Sequence, residues 1–271
     1  MTDNRSSVKE IQMVSAKILR DLAEIFEKNN LRYVVCFGSL LGAIRHNGFI
    51  PWDDDLDIAM PREDFERFKK MARDELPDYL FFQDYSTDVE YPSHTAKVRN
   101  INTTMIENGY RNLRKMNHGI FVDVFVGDYY TPGKINRLKL KLVRLIKGIL
   151  IAQKVCTASK IKKNVAKLFP RNAMFRKSEK MLRSLDKKNK KQHYMVDGAY
   201  LCDADMFDDT VLVSFEDFEV RVPRKYDEIL RGMYGDYMQF PPEEQRRPLH
   251  MTEHISCEIP FARYLEEHEV L

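Results

Sequence analysis

The stretch DDDLDIAM, residues 53–60, sets acids against apolar side chains in alternation. A strand sends successive side chains to opposite faces. The pattern therefore predicts a strand with Asp53, Asp55 and Asp57 on one face and Leu56, Ile58 and Met60 anchoring the other. Carboxylates held so close repel and raise each other's pKa, so the chain must bring a cation or basic partners to them. A divalent metal meets that need. Mg²⁺ takes hard oxygen ligands and keeps its remaining positions for water and substrate phosphates.

The residues upstream point the same way. YVVCF, 33–37, is β-branched, aromatic and uncharged, and reads as a buried strand. Gly38-Ser39 breaks it, and SLLGAIRH, 39–46, reads as a short helix. A strand, a Gly-Ser turn and a helix direct backbone N–H groups at an anion. A phosphate there and a metal on Asp55 and Asp57 make a phosphoryl-transfer centre. The third acid comes from GIFVDVFVGD, 119–128, where Asp123 shares a face with Phe121 and Phe125 while Val122 and Val124 face away. Asp55, Asp57 and Asp123 then form a cradle for one or two metals, which position an attacking hydroxyl and neutralise a leaving phosphate. Arg45, His46, Lys97 and Arg99 read either as contacts to donor phosphates and acceptor or as ion pairs that balance the aspartates.

The rest of the chain alternates helical and strand patterns. Ile11, Val14, Ile18, Leu22 and Ile25 mark an amphipathic helix over 8–29, with Ser6 or Ser7 as its cap. Pro61 opens a helix, PREDFERFKKMARDEL, with acids in its first turn. Strands are expected at 80–85, 94–100 and 218–223, and a helix over PRKYDEILRGMY. There is no internal repeat. The fold class is α+β: a mixed sheet flanked by helices.

Charge is distributed unevenly. Residues 134–191 carry 20 Lys and Arg against Glu179 and Asp186, whereas the remaining chain carries 24 against 39 acids. Ile135, Leu138, Leu142, Leu145 and Ile149 form a helical stripe there, with Arg137, Lys141, Arg144 and Lys147 mostly opposite. Residues 160–191 also read as helical, broken near Pro170. A basic amphipathic helix suits the interface of an anionic membrane. Nucleic acid is not expected as a partner, since Phe169 and Phe175 are the segment's only stacking aromatics. The basic helical segment, 133–192, is expected to interrupt one catalytic domain built from 1–132 and 193–271.

Several classes are excluded. No apolar run approaches the roughly 18 to 20 residues that span a bilayer; the longest, 142–152, is cut by Arg144 and Lys147. The N-terminal MTDNRSSVKE has no apolar stretch, so the expected location is cytoplasmic, peripheral at the inner face of the cell membrane. Cys36, Cys156, Cys202 and Cys257 are far apart in sequence and read as free thiols.

FGSLLGAIRHNGFIPWDDDLDIAMPREDFERF, HGIFVDVFVGD and YGDYMQFPPEEQRRPLH together resemble the LicD family of phosphotransferases, over about residues 8–130 and 195–251. That family is placed in the nucleotidyltransferase superfamily, so the resemblance implies a nucleotidyltransferase-like fold. The implied metal site falls on Gly38-Ser39, Asp55, Asp57 and Asp123, with Phe-Gly-Ser standing where the family often has Gly-Gly-Thr. The implied reaction moves a phospho-alcohol, phosphocholine above all, from a CDP-alcohol such as CDP-choline to a sugar hydroxyl, and releases CMP. The implied cofactor is Mg²⁺, with Mn²⁺ as a substitute. The implied acceptor is a cell-surface glycan precursor of teichoic acid or lipopolysaccharide type, on a lipid carrier. Trp52, Tyr110, Phe121 and Tyr129 are candidate walls for a quaternary ammonium group, and Arg246, Arg247 and His250 for nucleotide or acceptor. The alternatives are a nucleotidyltransferase that releases pyrophosphate and an inactive membrane-docked scaffold.

Overall fold

The computed structural model describes residues 7–155, 158–186, 190–248, 250 and 252–267. Helix α1 (Val8–Lys28) opens with a capping box, in which Ser7 and Glu10 bond each other's backbone N–H. Its apolar stripe is buried as the periodicity predicts. Strand β1 (Val34–Val35) is followed by α2 (Phe37–His46), β2 (Asp57–Pro61) and α3 (Arg62–Glu75). Strands β3 (Leu80–Gln83), β4 (Ala96–Asn100), β5 (Thr104–Glu107) and β6 (Ile120–Tyr130) come next. Helices α4 (Lys134–Lys154), α5 (Lys160–Lys167) and α6 (Arg171–Leu182) lead back to β7 (His193–Val196) and β8 (Tyr200–Asp203). The hairpin β9 (Thr210–Phe215) and β10 (Phe218–Pro223), helix α7 (Tyr226–Tyr234), strand β11 (Thr252–Ser256) and helix α8 (Phe261–Glu267) complete the chain.

The central sheet runs β3-β4-β6-β2-β1, with β7 paired to the last residues of β6 and β8 outside β7. Only β2 and β6 are parallel, with Asp57 beside Asp123 in register. One face of the sheet is the main core. Val35, Ile58, Met60, Val98, Val122 and Val124 pack there against α1, α2, α3 and the β9–β10 hairpin. The opposite face presents Asp57, Lys97, Arg99, Phe121 and Asp123, as strand alternation requires. The class is α+β, a mixed sheet with flanking helices.

Three boundaries depart from the sequence expectation. The first strand is two residues long, because Phe37 already begins α2 and Gly38-Ser39 lies inside that helix. Pro61 ends β2 and caps α3 from outside. Residues 53–56 are irregular, and β2 starts only at Asp57. The acids before it do not alternate across a strand. The carboxylates of Asp53, Asp54 and Asp55 converge within 4.8 Å of one another. Three consecutive side chains turn one way only when the backbone leaves the extended conformation.

Between β6 and β7 the chain makes its three-helix excursion, α4 to α6, broken at Pro170 as expected. The expected stripe is not the one that packs. Leu140, Val143, Ile146 and Leu150 face the core, whereas Ile135, Leu138, Leu142 and Leu145 are exposed. Lys147, expected on the outer basic face, turns inward and pairs with Asp197 at 2.7 Å. No helix among the described residues is long and apolar enough to cross a membrane.

Candidate active site

The site forms where β1 passes into α2. The Cys36 amide donates to the Asp57 carbonyl at 3.0 Å, and the Asp57 amide donates to Ser39 Oγ at 2.8 Å. Ser39 is buried, so its first task is to fix Asp57 rather than to meet a ligand. Gly38 is required for closeness: a Cβ there would lie 2.8 Å from Asp53 Oδ2. Gln12 of α1 donates to the carbonyls of Ile50 and Asp53 at 3.1 and 2.8 Å, which pins the acid loop against the helix. The Asp123 amide donates to the Leu56 carbonyl at 2.9 Å and ties that loop to β6.

Five carboxylates gather here: Asp53, Asp54 and Asp55 converge, and Asp57 and Asp123 adjoin them closely enough for their charges to act on one another. Burial, then the charges of Asp55, Asp123 and Asp53, pushes the Asp57 carboxyl well above its ordinary range. Burial and its neighbours Asp55 and Asp54 push Asp53 up to about 8. Asp123 is raised by burial, against the pull of the Lys97 ammonium, which sits 3.0 Å away. Two bases offset part of the charge. Lys97 pairs with Asp123, and His250 Nδ1 lies 3.1 Å from Asp54 and 3.8 Å from Asp55. Burial disfavours the imidazolium, but these carboxylates outweigh it and raise His250 to about 9. Carboxylates this close together repel one another unless cations or protons offset them. Hard oxygen donors in this number fit Mg²⁺ or Mn²⁺.

The other predicted residues separate into groups. Arg99 is wholly buried and donates to Gln83 and Gly119 at 2.5 and 2.6 Å, so it supports β4 and β6 and cannot reach a phosphate. Arg45 donates to the carbonyls of Tyr237 and Gln239 at 2.7 and 3.2 Å, clasping the YGDYM turn after α7 onto α2. Its guanidinium also lies 4.8 Å from the Phe240 ring centroid. His46 meets Trp52 and Phe240 edge-on, and Arg246 lies 5.7 Å from Trp52 and 5.4 Å from Phe240. Burial and the nearby Arg246 charge lower the Arg45 pKa, so the two guanidinium groups share one electropositive rim. Arg247 is exposed, and its side chain pairs with none of the acids among the described residues.

The four aromatics expected to hold an ammonium group do not converge. Trp52 is part of the cationic rim, and Tyr110 packs with Tyr91 and Leu113 in a satellite cluster. Tyr129 stacks on Tyr194. Phe121 already carries Lys97 at 3.2 Å and Arg99 at 4.8 Å from its ring centroid. The reading from sequence missed Asp54, Gln12 and Phe240. Asp54 was visible in the acid run, while the other two are placed only by tertiary contact.

Residues 30–131 match the family described as LicD/FKTN/FKRP, nucleotidyltransferase domain. The chain is 29% identical over 268 residues to the lipopolysaccharide cholinephosphotransferase LicD of Haemophilus influenzae, covering 91% of this chain and 97% of that protein. A shorter stretch is 46% identical over 55 residues to an uncharacterized protein of Rickettsia typhi, 20% of this chain and 18% of that one. Another is 50% identical over 48 residues to an uncharacterized protein of Rickettsia prowazekii, 18% of each.

Proposed function

We propose that this chain, whose residues 30–131 carry a LicD-type nucleotidyltransferase domain, transfers phosphocholine from CDP-choline to a sugar hydroxyl of a cell-surface glycan precursor. The acceptor is of lipopolysaccharide or teichoic acid type on a lipid carrier. The acceptor oxygen bonds to the phosphorus next to choline, the bond from that phosphorus to CMP breaks, and the hydroxyl proton is released. One observation carries the reading: Asp53, Asp55, Asp57 and Asp123 form an under-neutralised cluster at the start of α2. It lies in a chain that aligns over 91% of its length with a cholinephosphotransferase.

Asp55, Asp57 and Asp123 hold Mg²⁺ in this reading. The bound ion supplies positive charge for the diphosphate and its leaving group. The protein's own part is placement. Ser39 fixes Asp57, Lys97 orients Asp123, and His250 steadies Asp54 and Asp55. Arg45, Arg246, Trp52 and Phe240 receive the CMP portion, with guanidinium groups for phosphate and aromatic faces for the base. The test is product analysis with CDP-choline, a glycan acceptor and Mg²⁺. Magnesium-dependent release of CMP is expected. Pyrophosphate release from CTP assigns the chain to the nucleotidyl transfer alternative, and no turnover with either donor makes it a scaffold.

The outer side of α4 supports docking at the inner face of the membrane. Ile135, Leu138, Leu142 and Leu145 form an exposed row. With about 100° per residue, Lys134 and Lys141 flank it, while Arg137 and Arg144 lie farther round the helix. Such a helix buries its apolar row in the headgroup boundary while anionic lipid contributes about 1 kcal/mol per nearby basic residue. The wild type is expected to sediment with anionic vesicles at low salt, and a Leu138→Ser, Leu145→Ser double variant to remain in the supernatant. Equal sedimentation of the two would end this reading.

A further inference from the structure

A cavity of about 490 Å³ lies directly against the start of α2. Cys36 and Phe37 form one side, the β7–β8 hairpin with Tyr200 a second, and α7 with Glu228, Ile229 and Gly232 a third. It adjoins the carboxylate cluster, because Phe37 precedes Gly38 and the Cys36 amide bonds to the Asp57 carbonyl. Tyr234, at the end of α7, lies near enough to Asp57 and Asp53 that their charges add to burial in raising its hydroxyl pKa.

The lining selects a ligand by charge. It contains neither Lys nor Arg. Its one basic side chain is His193. Two carboxylates line it, Asp203 and Glu228. Asp203 is met by Lys225 at 3.2 Å, whereas Glu228, which is exposed, has no ion-pair partner among the described residues. Phe37 and Tyr200 approach each other with ring centroids 4.5 Å apart. Phe37 also holds a backbone φ of +50°, a conformation non-glycine residues rarely adopt. Backbone strain of this kind persists where the surroundings enforce it, here the packing of its ring between Phe125 and Tyr200. Aromatic faces with an unpaired carboxylate and neither Lys nor Arg beside them bind soft organic cations.

We propose that this cavity receives the quaternary ammonium head of the transferred group, with Phe37 and Tyr200 as its aromatic wall and Glu228 as its counter-charge. The assignment rests on the phosphocholine reading above. It places the alcohol on the α7 side of the acids and the nucleotide on the Arg45–Arg246 side, so the reacting phosphate spans the cluster between them.

Gly232 supplies the decisive variant. Nothing lies within 4 Å of the position its Cβ would take. Gly232→Leu therefore adds bulk to the α7 wall of the cavity from a position where its Cβ meets nothing, and it favours the helix. Binding to the full chain is measured by calorimetry for CDP-choline, its uncharged 3,3-dimethylbutyl isostere, CMP and tetramethylammonium. The wild type is expected to prefer CDP-choline to the isostere by about tenfold, and Gly232→Leu and Tyr200→Ala to lose that preference with CMP affinity unchanged within about twofold. If the preference survives in Gly232→Leu while CDP-choline is turned over, the cavity assignment is overturned and the proposed reaction stands. If tetramethylammonium binds the wild type but not Gly232→Leu, and CDP-choline gives no CMP, the cavity assignment stands and the proposed reaction falls. A wild type that binds neither CDP-choline over its isostere nor tetramethylammonium overturns the assignment.

Discussion

Strand β6 carries two buried aspartates five positions apart, and they live in opposite circumstances. Asp128 meets Arg62 through two hydrogen bonds of 2.8 and 2.7 Å, with the guanidinium itself buried between β6 and α3. Its charge is answered completely. Asp123 has one lysine and the acids Asp55, Asp57 and Glu107 around it, and its carboxyl is displaced upward. Burial is nearly equal for the two, so burial does not separate a structural acid from a functional one. The balance of nearby charge does.

Substitution at each residue tests that contrast most sharply. Asp123→Asn, and likewise Asp55→Asn or Asp57→Asn, is expected to lower CMP release by at least about 100-fold with unchanged circular dichroism. Asp128→Asn is expected to cost about 3 kcal/mol in urea unfolding, because it leaves the largely buried Arg62 with only Glu66, at 3.5 Å, as its counter-charge, while turnover per folded molecule stays near wild type. Near-normal turnover in Asp123→Asn would remove that residue from the site.

Metal binding gives the next effect. Mg²⁺ at 100 times its dissociation constant should add about 2.7 kcal/mol to stability. The gain should vanish in Asp57→Asn and persist in Asp128→Asn, which thermal unfolding with and without chelator will reveal.

The pH dependence is smaller and its sign is fixed by the cluster. A carboxyl raised on folding holds its proton more tightly in the native state, so its stability contribution is present below the unfolded pKa and lost as pH rises through the folded one. For Asp53 that window runs from 3.8 to about 8. His250, raised from 6.5 to about 9, loses its contribution in the same direction. Chelator-treated protein should therefore melt lower at pH 9 than at pH 6, and Mg²⁺ should flatten the slope. A rising melting temperature over that range would contradict the charge balance described for the site.

The mildest change concerns the cationic rim. Trp52→Ala removes the face that Arg246 overlies and should weaken CMP about fivefold, matching about 1 kcal/mol. An equal loss of CMP and overall stability would indicate core damage instead.

Asp57 and Asp123 were legible because each sits in a strand whose alternation survives into the structure, Asp123 between Val122 and Val124. Asp53 and Asp55 were found for a reason that failed locally. They converge through an irregular loop, not through pleat geometry. Pairing of β5 with β11 joins residues about 150 positions apart and leaves no local trace. Arg99 and Lys97 looked alike in sequence, yet one is sealed under Gln83 and Gly119 and the other reaches the acids. Helix α4 carries two apolar rows, and periodicity cannot say which of them meets the core. Each of these depends on which element lands opposite, a property of the assembled fold.

The helical excursion has a topological consequence. The chain leaves the sheet after Tyr130 and returns at His193, and those two residues are register partners in adjacent antiparallel strands. Seen from the sheet, everything between them is one hairpin loop of unusual length. The loop closes on the same rung of the ladder it opened from, and it is held against the sheet by its own packing on Tyr130 and Met195. The strands that carry Asp57 and Asp123 thus stand in the sheet on one side of this excursion, and its exposed apolar row stands on the other.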